Sequence, residues 1–152
     1  MTEIVLPTLP HTWRPLFGRV VGIAMAVFML GGAILLAVVL PGSGTVAYHP
    51  LDRAGIAALG VPIAAVLLLL ARPKLMADVD GVTVVNLVRR RRLAWSEVVS
   101  VDLAVTASWA SFDLADGTSL PVLALQTVDG KRFRRGVAEI SALVERRTDS
   151  GG

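Results

Sequence analysis

Two long apolar runs in the first half of the chain constrain its fold more than any other feature. Between Arg19 and Arg72 the only charged residues are an adjacent acid and base in the stretch 41–53, which separates an apolar run at 20–40 from a second at 54–71. As helices rising about 1.5 Å per residue, these runs would extend about 31 Å and about 27 Å. The hydrocarbon core of a bilayer is about 30 Å thick. The sequence therefore predicts two transmembrane helices joined by an outer loop.

The basic residues that flank the runs predict that both chain termini are cytoplasmic. Arg14 and Arg19 precede the first run, and Arg72 and Lys74 follow the second, whereas the loop contains only Arg53 next to an acid. Lys and Arg near the ends of spans favour the cytoplasmic side. The alternative is a cleaved signal peptide. The 21-residue first run exceeds the usual apolar length of roughly 7 to 15 residues, and a second run follows it, so we expect a multi-pass protein of the cell membrane.

Small residues recur on both runs at a four-residue spacing. Such residues let two helix backbones approach closely, although Gly and Ala are also simply common in membrane helices. The runs contain no Asp, Glu, Lys, Arg or His, so they lack the ionisable groups that mark ion and proton pathways. The positions predicted to pack helices together are Gly18, Gly22, Ala33, Ala37, Gly60 and Ala64.

The second half of the chain has short alternating stretches separated by Asp-Gly pairs. These pairs begin at Asp80, Asp116 and Asp129, and the dipeptide supplies the positive φ angles that tight hairpin turns require. The pattern predicts a meander of about seven antiparallel strands. We place the strands at 75–79, 82–87, 92–95, 98–105, 109–115, 118–125 and 132–134.

The pattern becomes helical after Gly136. Val137, Ile140, Leu143 and Val144 share one face, which predicts an amphipathic helix that covers the end of the sheet. The predicted organisation is a cytoplasmic N-terminal segment at 1–19, a transmembrane hairpin at 20–71, a small β-rich domain at 72–148 and a tail at 149–152.

Several stretches resemble the small actinobacterial membrane proteins that carry a bacterial pleckstrin-homology (PH) domain. The resemblance covers nearly the whole chain and rests on LPHTWRP at 9–15, ARP at 71–73, DGVTVVN at 80–86, AWSEV at 94–98, and Trp109 followed by DLADG at 113–117. It implies a PH-like fold, a bent sheet of seven strands plugged by a C-terminal helix. It implies no agreed activity, because that family is described mostly by its domain.

Well-known PH domains recognise phosphoinositide head groups through Lys and Arg on and beside their first hairpin. We expect that hairpin turn at Asp80-Gly81, with Asp78 beside it. An acidic turn would repel a phosphorylated head group, so this departure argues against an inositol-lipid function. A fold alone does not transfer a function.

Six basic residues lie within 21 positions after the second run. Basic clusters next to a membrane are attracted to anionic cytoplasmic lipids, which predicts contact with the lipid surface. The alternative is a solvated, arginine-rich turn that only fixes topology. The six residues are Arg72, Lys74, Arg89, Arg90, Arg91 and Arg92.

Two tryptophans, Trp95 and Trp109, are candidates for framing a groove that holds a peptide or a lipid. The alternative is ordinary packing in the core or at its rim.

Other features argue against an enzyme. The chain has no cysteine and two histidines, His11 and His49, neither of which has partners at catalytic or metal-ligand spacing. No phosphate loop, dinucleotide motif or nucleophile elbow is present. From Arg72 onward, twelve basic residues accompany ten acids, so a nucleic-acid-binding field is not supported. We therefore predict no catalytic residues, no cofactor and no metal site.

Two functions fit these observations. The first is a non-catalytic, membrane-anchored PH-like binding module at the cytoplasmic face, which binds a protein segment or an anionic lipid surface. The second is a structural or assembly subunit of a larger membrane complex. Membrane lipids, another membrane or cytoplasmic protein and a second copy of the chain are the expected partners.

Overall fold

The computed structural model describes residues 6–43, 47–103 and 106–149, except for the side chain of Thr148. These residues form two compact units. One unit is residues 18–71. The other combines the N-terminal residues through Phe17 with the chain from Arg72 onward.

The first unit is a helical hairpin. Its helices are α1 (Leu16–Val39) and α2 (Pro50–Leu70), which confirms the two predicted apolar helices. Both are long and apolar enough to cross a membrane, and only 17% and 11% of the residues in their most apolar windows are buried. Most large apolar side chains on both helices are therefore exposed, which is unlike the core helices of a soluble protein.

A seam of small residues joins α1 to α2. A Cβ atom on Gly22 would lie 3.0 Å from the carbonyl oxygen of Leu67, and one on Gly60 would lie 2.7 Å from Cβ of Ala33. A Cβ would meet a backbone oxygen at Gly22 and the short side chain of Ala33 at Gly60, so the two helices pack closely at both glycines. The buried residues of the two helices are Gly22, Ala26, Gly60 and Ala64, whereas Gly18, Ala33 and Ala37 are half-buried. Ala26 was not singled out from the sequence.

The two charged residues that separate the apolar runs, Asp52 and Arg53, lie in the first turn of α2 and complete the helix ends. Arg53 donates from Nε to the carbonyl oxygen of Ala37 at 2.6 Å and from Nη2 to that of Val38 at 3.0 Å. These carbonyls lie in the last turn of α1, where no further turn can bond to them. At the start of α2, Asp52 accepts from the backbone N–H of His49 at 3.0 Å. Both charges thus have structural partners within the hairpin.

The second unit is a β domain closed by a helix. One antiparallel sheet has the order β1-β2-β3-β4, and the other has the order β5-β6-β7. With the C-terminal helix α3, this architecture confirms the predicted PH-like fold and, within the described residues, the count of seven strands. The bounds are β1 His11–Trp13, β2 Lys74–Ala77, β3 Gly81–Val85, β4 Arg90–Ala94, β5 Val98–Asp102, β6 Trp109–Leu114, β7 Ser119–Gln126 and α3 Lys131–Asp149.

The location of one strand differs from the prediction. The strand expected at 132–134 is wrong, because these residues form the first turn of α3, which begins before Gly136. Asp129-Gly130 is not a hairpin turn but the end of a short 3-10 turn, in which Gly130 has a φ of 55°. The seventh strand is β1, for which no strand was predicted.

β1 pairs with β2 across the whole hairpin. The register partners are His11 with Ala77, Thr12 with Met76 and Trp13 with Leu75. The connection between these neighbouring strands therefore contains both apolar helices. The turn at Asp80-Gly81 closes the hairpin of β2 and β3, as predicted. This is the first pair of strands joined by a tight turn, because both helices separate β1 from β2. The effect of this acidic turn on head-group binding stays a prediction.

The remaining strands lie close to the predicted ones. The end of the strand predicted at 98–105 falls partly outside the described residues, and β5 ends at Asp102. Asn86 joins the two sheets: its Nδ2 donates to the carbonyl oxygen of Pro121 at 2.8 Å, and its Oδ1 accepts from the N–H of Leu123 at 3.2 Å. One side chain thus satisfies two backbone groups of β7, the way a neighbouring strand would.

A buried carboxylate ties β1 to α3. The side chain of Glu139 is only 7% exposed, and its Oε2 accepts from the indole Nε1 of Trp13 at 2.9 Å. Its other oxygen, Oε1, accepts from Nε of Arg135 at 2.8 Å. A buried charge is tolerated when it is paired and hydrogen-bonded, so these contacts lock the N-terminal strand onto the C-terminal helix. Trp13 belongs to the same core cluster as Leu75 and Ile140.

The β1 pairing predicts that the domain is incomplete without its N-terminal strand. A fragment of residues 73–152 lacks β1, whereas a variant with residues 15–73 replaced by Asn-Gly retains it, because Arg14 and Lys74 then flank a two-residue turn in the observed register. We expect the fragment to have a free energy of unfolding lower by at least about 3 kcal/mol, the scale of removing one buried aromatic side chain. Urea unfolding followed by circular dichroism measures this, and equal stabilities would contradict it.

The seam predicts that Gly60→Val weakens the hairpin. The added side chain must displace Ala33, and overpacking of this kind costs about 1 to 3 kcal/mol. Gly55→Val is the matched control, because nothing lies within 4 Å of a Cβ at that position of the same helix. Unfolding of the full chain by SDS, followed by far-ultraviolet circular dichroism, should show a lower free energy of unfolding for Gly60→Val but not for Gly55→Val. Equal effects of the two substitutions would refute close packing at Gly60.

Candidate functional site

The register of the first sheet places basic residues in one row. Lys74 is the partner of Val85, and Val85 is the partner of Arg90. Residues in one row point to the same face, and neighbouring strands lie about 4.8 Å apart. Lys74 and Arg90 therefore lie about 10 Å apart on one face of the sheet, on either side of an apolar residue.

The turn between β3 and β4 extends beyond this row. The turn is closed by the N–H of Asn86, which donates to the carbonyl oxygen of Arg89 at 2.9 Å. Val88, within the turn, is 79% exposed, and Arg89 is exposed beside it. Arg72 stands two residues before Lys74. We call this end of the sheet the basic end and define it by Arg72, Lys74, Val88, Arg89 and Arg90.

The basic end is also where the chain connects to α2. β2 begins at Lys74, four residues after Leu70, the last residue of α2. Because β2 and β3 are antiparallel, the start of β2 and the end of β3 lie at the same end of the sheet along the strand direction. The basic end is therefore next, along the chain, to a candidate membrane span.

The opposite end of the sheet is acidic. The turn between β2 and β3 contains Asp78 and Asp80, and Nη2 of Arg92 lies 3.2 Å from a carboxylate oxygen of Asp78 and 3.8 Å from one of Asp80. This turn is held locally, since Asp78 also accepts from the N–H groups of Asp80 and Gly81. Charge thus changes sign along the strand direction.

Arg91 is also paired with an acid. Its Nη2 lies 3.7 Å from Oδ2 of Asp116, in the turn between β6 and β7. The hydroxyl of Thr118 donates to Oδ1 of Asp116 at 2.6 Å, and this bond, together with the Thr118 N–H and the nearby Arg91, lowers the pKa of that carboxyl. Asp116 is therefore ionised at neutral pH and available to Arg91.

The predicted cluster of six basic residues is thus divided into two groups. Arg91 and Arg92 are paired with acids. Within the described part of the chain, no ion pair involves the other four, Arg72, Lys74, Arg89 and Arg90. Lipid contact by the six residues stays a prediction, and the unpaired four are its strongest candidates. Val88 was missed, although an apolar residue between two expected strands and beside an arginine was a signal for it.

The two candidate groove tryptophans lie in different environments. Trp95 is buried in the core, and its Nε1 donates to the carbonyl oxygen of Asp78 at 3.1 Å. Trp109 lies in β6 and is 40% exposed. A groove framed by both tryptophans stays a prediction.

Both histidines make structural contacts. The ring of His11 packs edge-on against that of Trp13, with centroids 4.5 Å apart, and Nδ1 of His49 accepts from the N–H of Leu51. Among the described residues, no group of three or more His, Cys, Asp or Glu is arranged to hold a metal ion.

Comparison with known proteins agrees with this architecture. The bacterial PH domain family matches residues 72–142, a range that leaves out β1. The uncharacterized proteins Rv1417 of Mycobacterium tuberculosis and Mb1452 of Mycobacterium bovis are each 37% identical over 137 residues, which is 90% of this chain and 86% of theirs. No solved structure matches. The resemblance inferred from the sequence is confirmed: the chain belongs to the bacterial PH-domain family.

Proposed function

We propose that this protein is a membrane-anchored PH-like binding module whose basic end contacts anionic lipid at the cytoplasmic face. The main supporting observation is the register of the sheet, which aligns Lys74 with Arg90 at the basic end. At this end β2 begins, four residues after the end of α2. The family supplies a binding fold, and the basic end supplies the chemistry of the ligand. No catalytic step is part of this function.

The β1 pairing supports a two-span topology. β1 precedes α1 and β2 follows α2, yet they are neighbours in one sheet, so they lie on the same side of any membrane. Helices that cross between them must cross an even number of times, which α1 and α2 satisfy. The excess of basic residues beside these strands then favours the cytoplasmic side.

The strength of such a contact comes from several weak terms. Each basic residue near an anionic surface contributes about 1 kcal/mol, so four contribute about 4 kcal/mol. The tether removes most of the entropic cost of the encounter, because linked partners can meet at effective concentrations in the millimolar range. Exposed Val88 can enter the interface between the arginines and add apolar burial.

The acidic end supports one orientation of the sheet. Asp78 and Asp80 would be repelled by anionic lipid, and they neutralise Arg92 at that end. A domain with one attracted end and one repelled end orients itself at a charged surface.

The assembly-subunit alternative has less support in the structure. Its main argument was the small-residue faces, and Gly22 and Gly60 are used within the hairpin, against Leu67 and Ala33. A seam that closes the hairpin on itself leaves those positions unavailable to another helix.

The proposal predicts that Val88 contacts lipid and that Val79 does not. Val79 lies in the acidic turn and is 62% exposed, which makes it a matched control for Val88 at the opposite end of the same sheet. Because the chain has no cysteine, Val88→Cys and Val79→Cys each accept a single environment-sensitive dye. In bilayers with anionic phosphatidylglycerol, we expect the emission of the dye to shift towards that of an apolar environment at residue 88 alone. Salt at 0.5 M should reverse this shift, because the Debye length is then below roughly 5 Å.

Charge reversal at the basic end tests whether this shift depends on Lys74 and Arg90. The double substitution Lys74→Glu with Arg90→Glu should abolish the shift, whereas Lys131→Glu with Arg134→Glu, an equal charge change on exposed residues of α3, should preserve it. A residue-88 dye that stays aqueous in every lipid mixture would refute lipid docking. Recovery of a stable complex with another membrane protein in that case would favour the assembly subunit.

A further inference from the structure

A cleft lies within the β domain on the β1 side of the sheet, where the register that pairs Trp13 with Leu75 places Arg14 opposite Lys74 of the basic end. It has a volume of about 280 Å³ and is formed by β1 and Arg14, the end of β7, Asp129 and the first three turns of α3. Its walls include the apolar groups of Trp13 and Phe133, and none of the four unpaired basic residues of the basic end lines it. Its charged side chains are those of Arg14, Asp129, Arg132, Arg135 and Glu139.

Both carboxylates in the cleft are already engaged. The two oxygens of Glu139 accept from Trp13 and Arg135. The two oxygens of Asp129 accept from the backbone N–H groups of Leu16 at 3.0 Å and Phe17 at 2.8 Å, the first residues of α1 and part of the same compact unit. The acids therefore serve to hold the walls together, and neither oxygen pair is left open for a cation.

The arginines, in contrast, have donors to spare. Arg14 and Arg132 are exposed and have no ion pair among the described residues. Arg135 donates from Nε to Glu139, and its terminal nitrogens have no hydrogen bond or ion pair to the described residues. The lining contains three guanidinium groups and two carboxylates, so the cleft has one more positive than negative group.

We propose that this cleft binds a phosphate group through Arg14, Arg132 and Arg135. The planar fork of guanidinium donors matches phosphate oxygens in pairs, which a single ammonium group cannot do. The volume is close to the lower limit of about 300 Å³ for small-molecule sites, which suits a phosphate ester with a short head group rather than a large ligand. The indole and phenyl walls would contact the ester carbons.

The phosphate can belong to a phospholipid or to a soluble ester. Arg14 lies two residues before Leu16, the first residue of α1, so a lipid head group is a nearby source of phosphate. The cleft does not depend on lipid docking by the basic end, because it uses different residues.

The test uses the full-length protein in a neutral detergent. Isothermal titration with inorganic phosphate and with glycerol phosphate measures the soluble source, and native mass spectrometry measures retained phosphatidylglycerol against phosphatidylcholine. We expect Arg132→Glu to weaken whichever phosphate ligand binds by at least tenfold. Arg134→Glu, an exposed residue of the same helix that does not line the cleft, should leave binding within twofold.

The outcomes separate this site from the basic end. Thermal unfolding of each variant identifies any loss of binding that comes from misfolding, and Arg14→Glu provides a second substitution outside α3. Retention of phosphate binding by Arg89→Glu with Arg90→Glu, substitutions at the β4 side of the sheet and far from Arg14 on the β1 side, supports an independent site, even where lipid docking fails. Absence of both soluble-phosphate binding and selective phosphatidylglycerol retention in the unsubstituted protein would overturn the proposal, as would equal losses for Arg132→Glu and Arg134→Glu.

Discussion

The pairing of β1 with β2 is the constraint on which the rest of the structure depends. These strands are neighbours in space but are separated in the chain by two apolar helices. Closing so long a connection costs entropy, although the cost grows only slowly with length. The helix seam lowers this entropic cost, because Gly22, near the start of α1, packs against Leu67 and Ala71, near the end of α2. Each unit thus holds the two ends of the same connection together.

The charges of the domain are nearly balanced in number but not in arrangement. Some arginines are paired with acids and others are not. Asp116 pairs with Arg91 and Asp78 with Arg92, while the basic residues of the basic end have no ion pair among the described residues. The carboxylates of the cleft are likewise occupied by backbone and side-chain donors. A total charge of +3 therefore says little about which surfaces of the protein attract anions.

The parts of the fold that depend on local pattern could be predicted from the sequence. Scarcity of charge located the two helices, and Asp80-Gly81 and Asp116-Gly117 marked true hairpin turns. Asp129-Gly130 has the same composition but precedes a helix, because Phe133, Val137 and Ile140 continue the apolar face of α3 towards its start. The dipeptide specifies a change of direction, and the residues beyond it decide whether a strand or a helix comes next.

The parts that depend on distant partners could not be predicted. β1 is three residues long, and its partner lies beyond both helices, so no alternation or turn residue marks it. The run Arg89 to Arg92 is one basic block in the sequence, but in the sheet Arg91 and Arg92 lie beside different acids, while Arg89 and Arg90 have no ion pair among the described residues. The sequence therefore predicts the six basic residues, but it does not predict which of them are paired with acids and which are not.

In the proposed two-span topology, membrane integration of both helices is a condition for folding of the split domain. The ribosome releases β1 before either helix and β2 only after both, so the sheet cannot close until the second helix has returned the chain to its starting side. If only one helix integrates, β1 and β2 lie on opposite sides of the bilayer and cannot pair. The indole of Trp13 then never reaches Glu139, and that carboxylate lacks its buried donor. In that topology, a folded domain would indicate that both helices have inserted, and chains with one inserted helix would expose an unpaired edge of β2 to proteases.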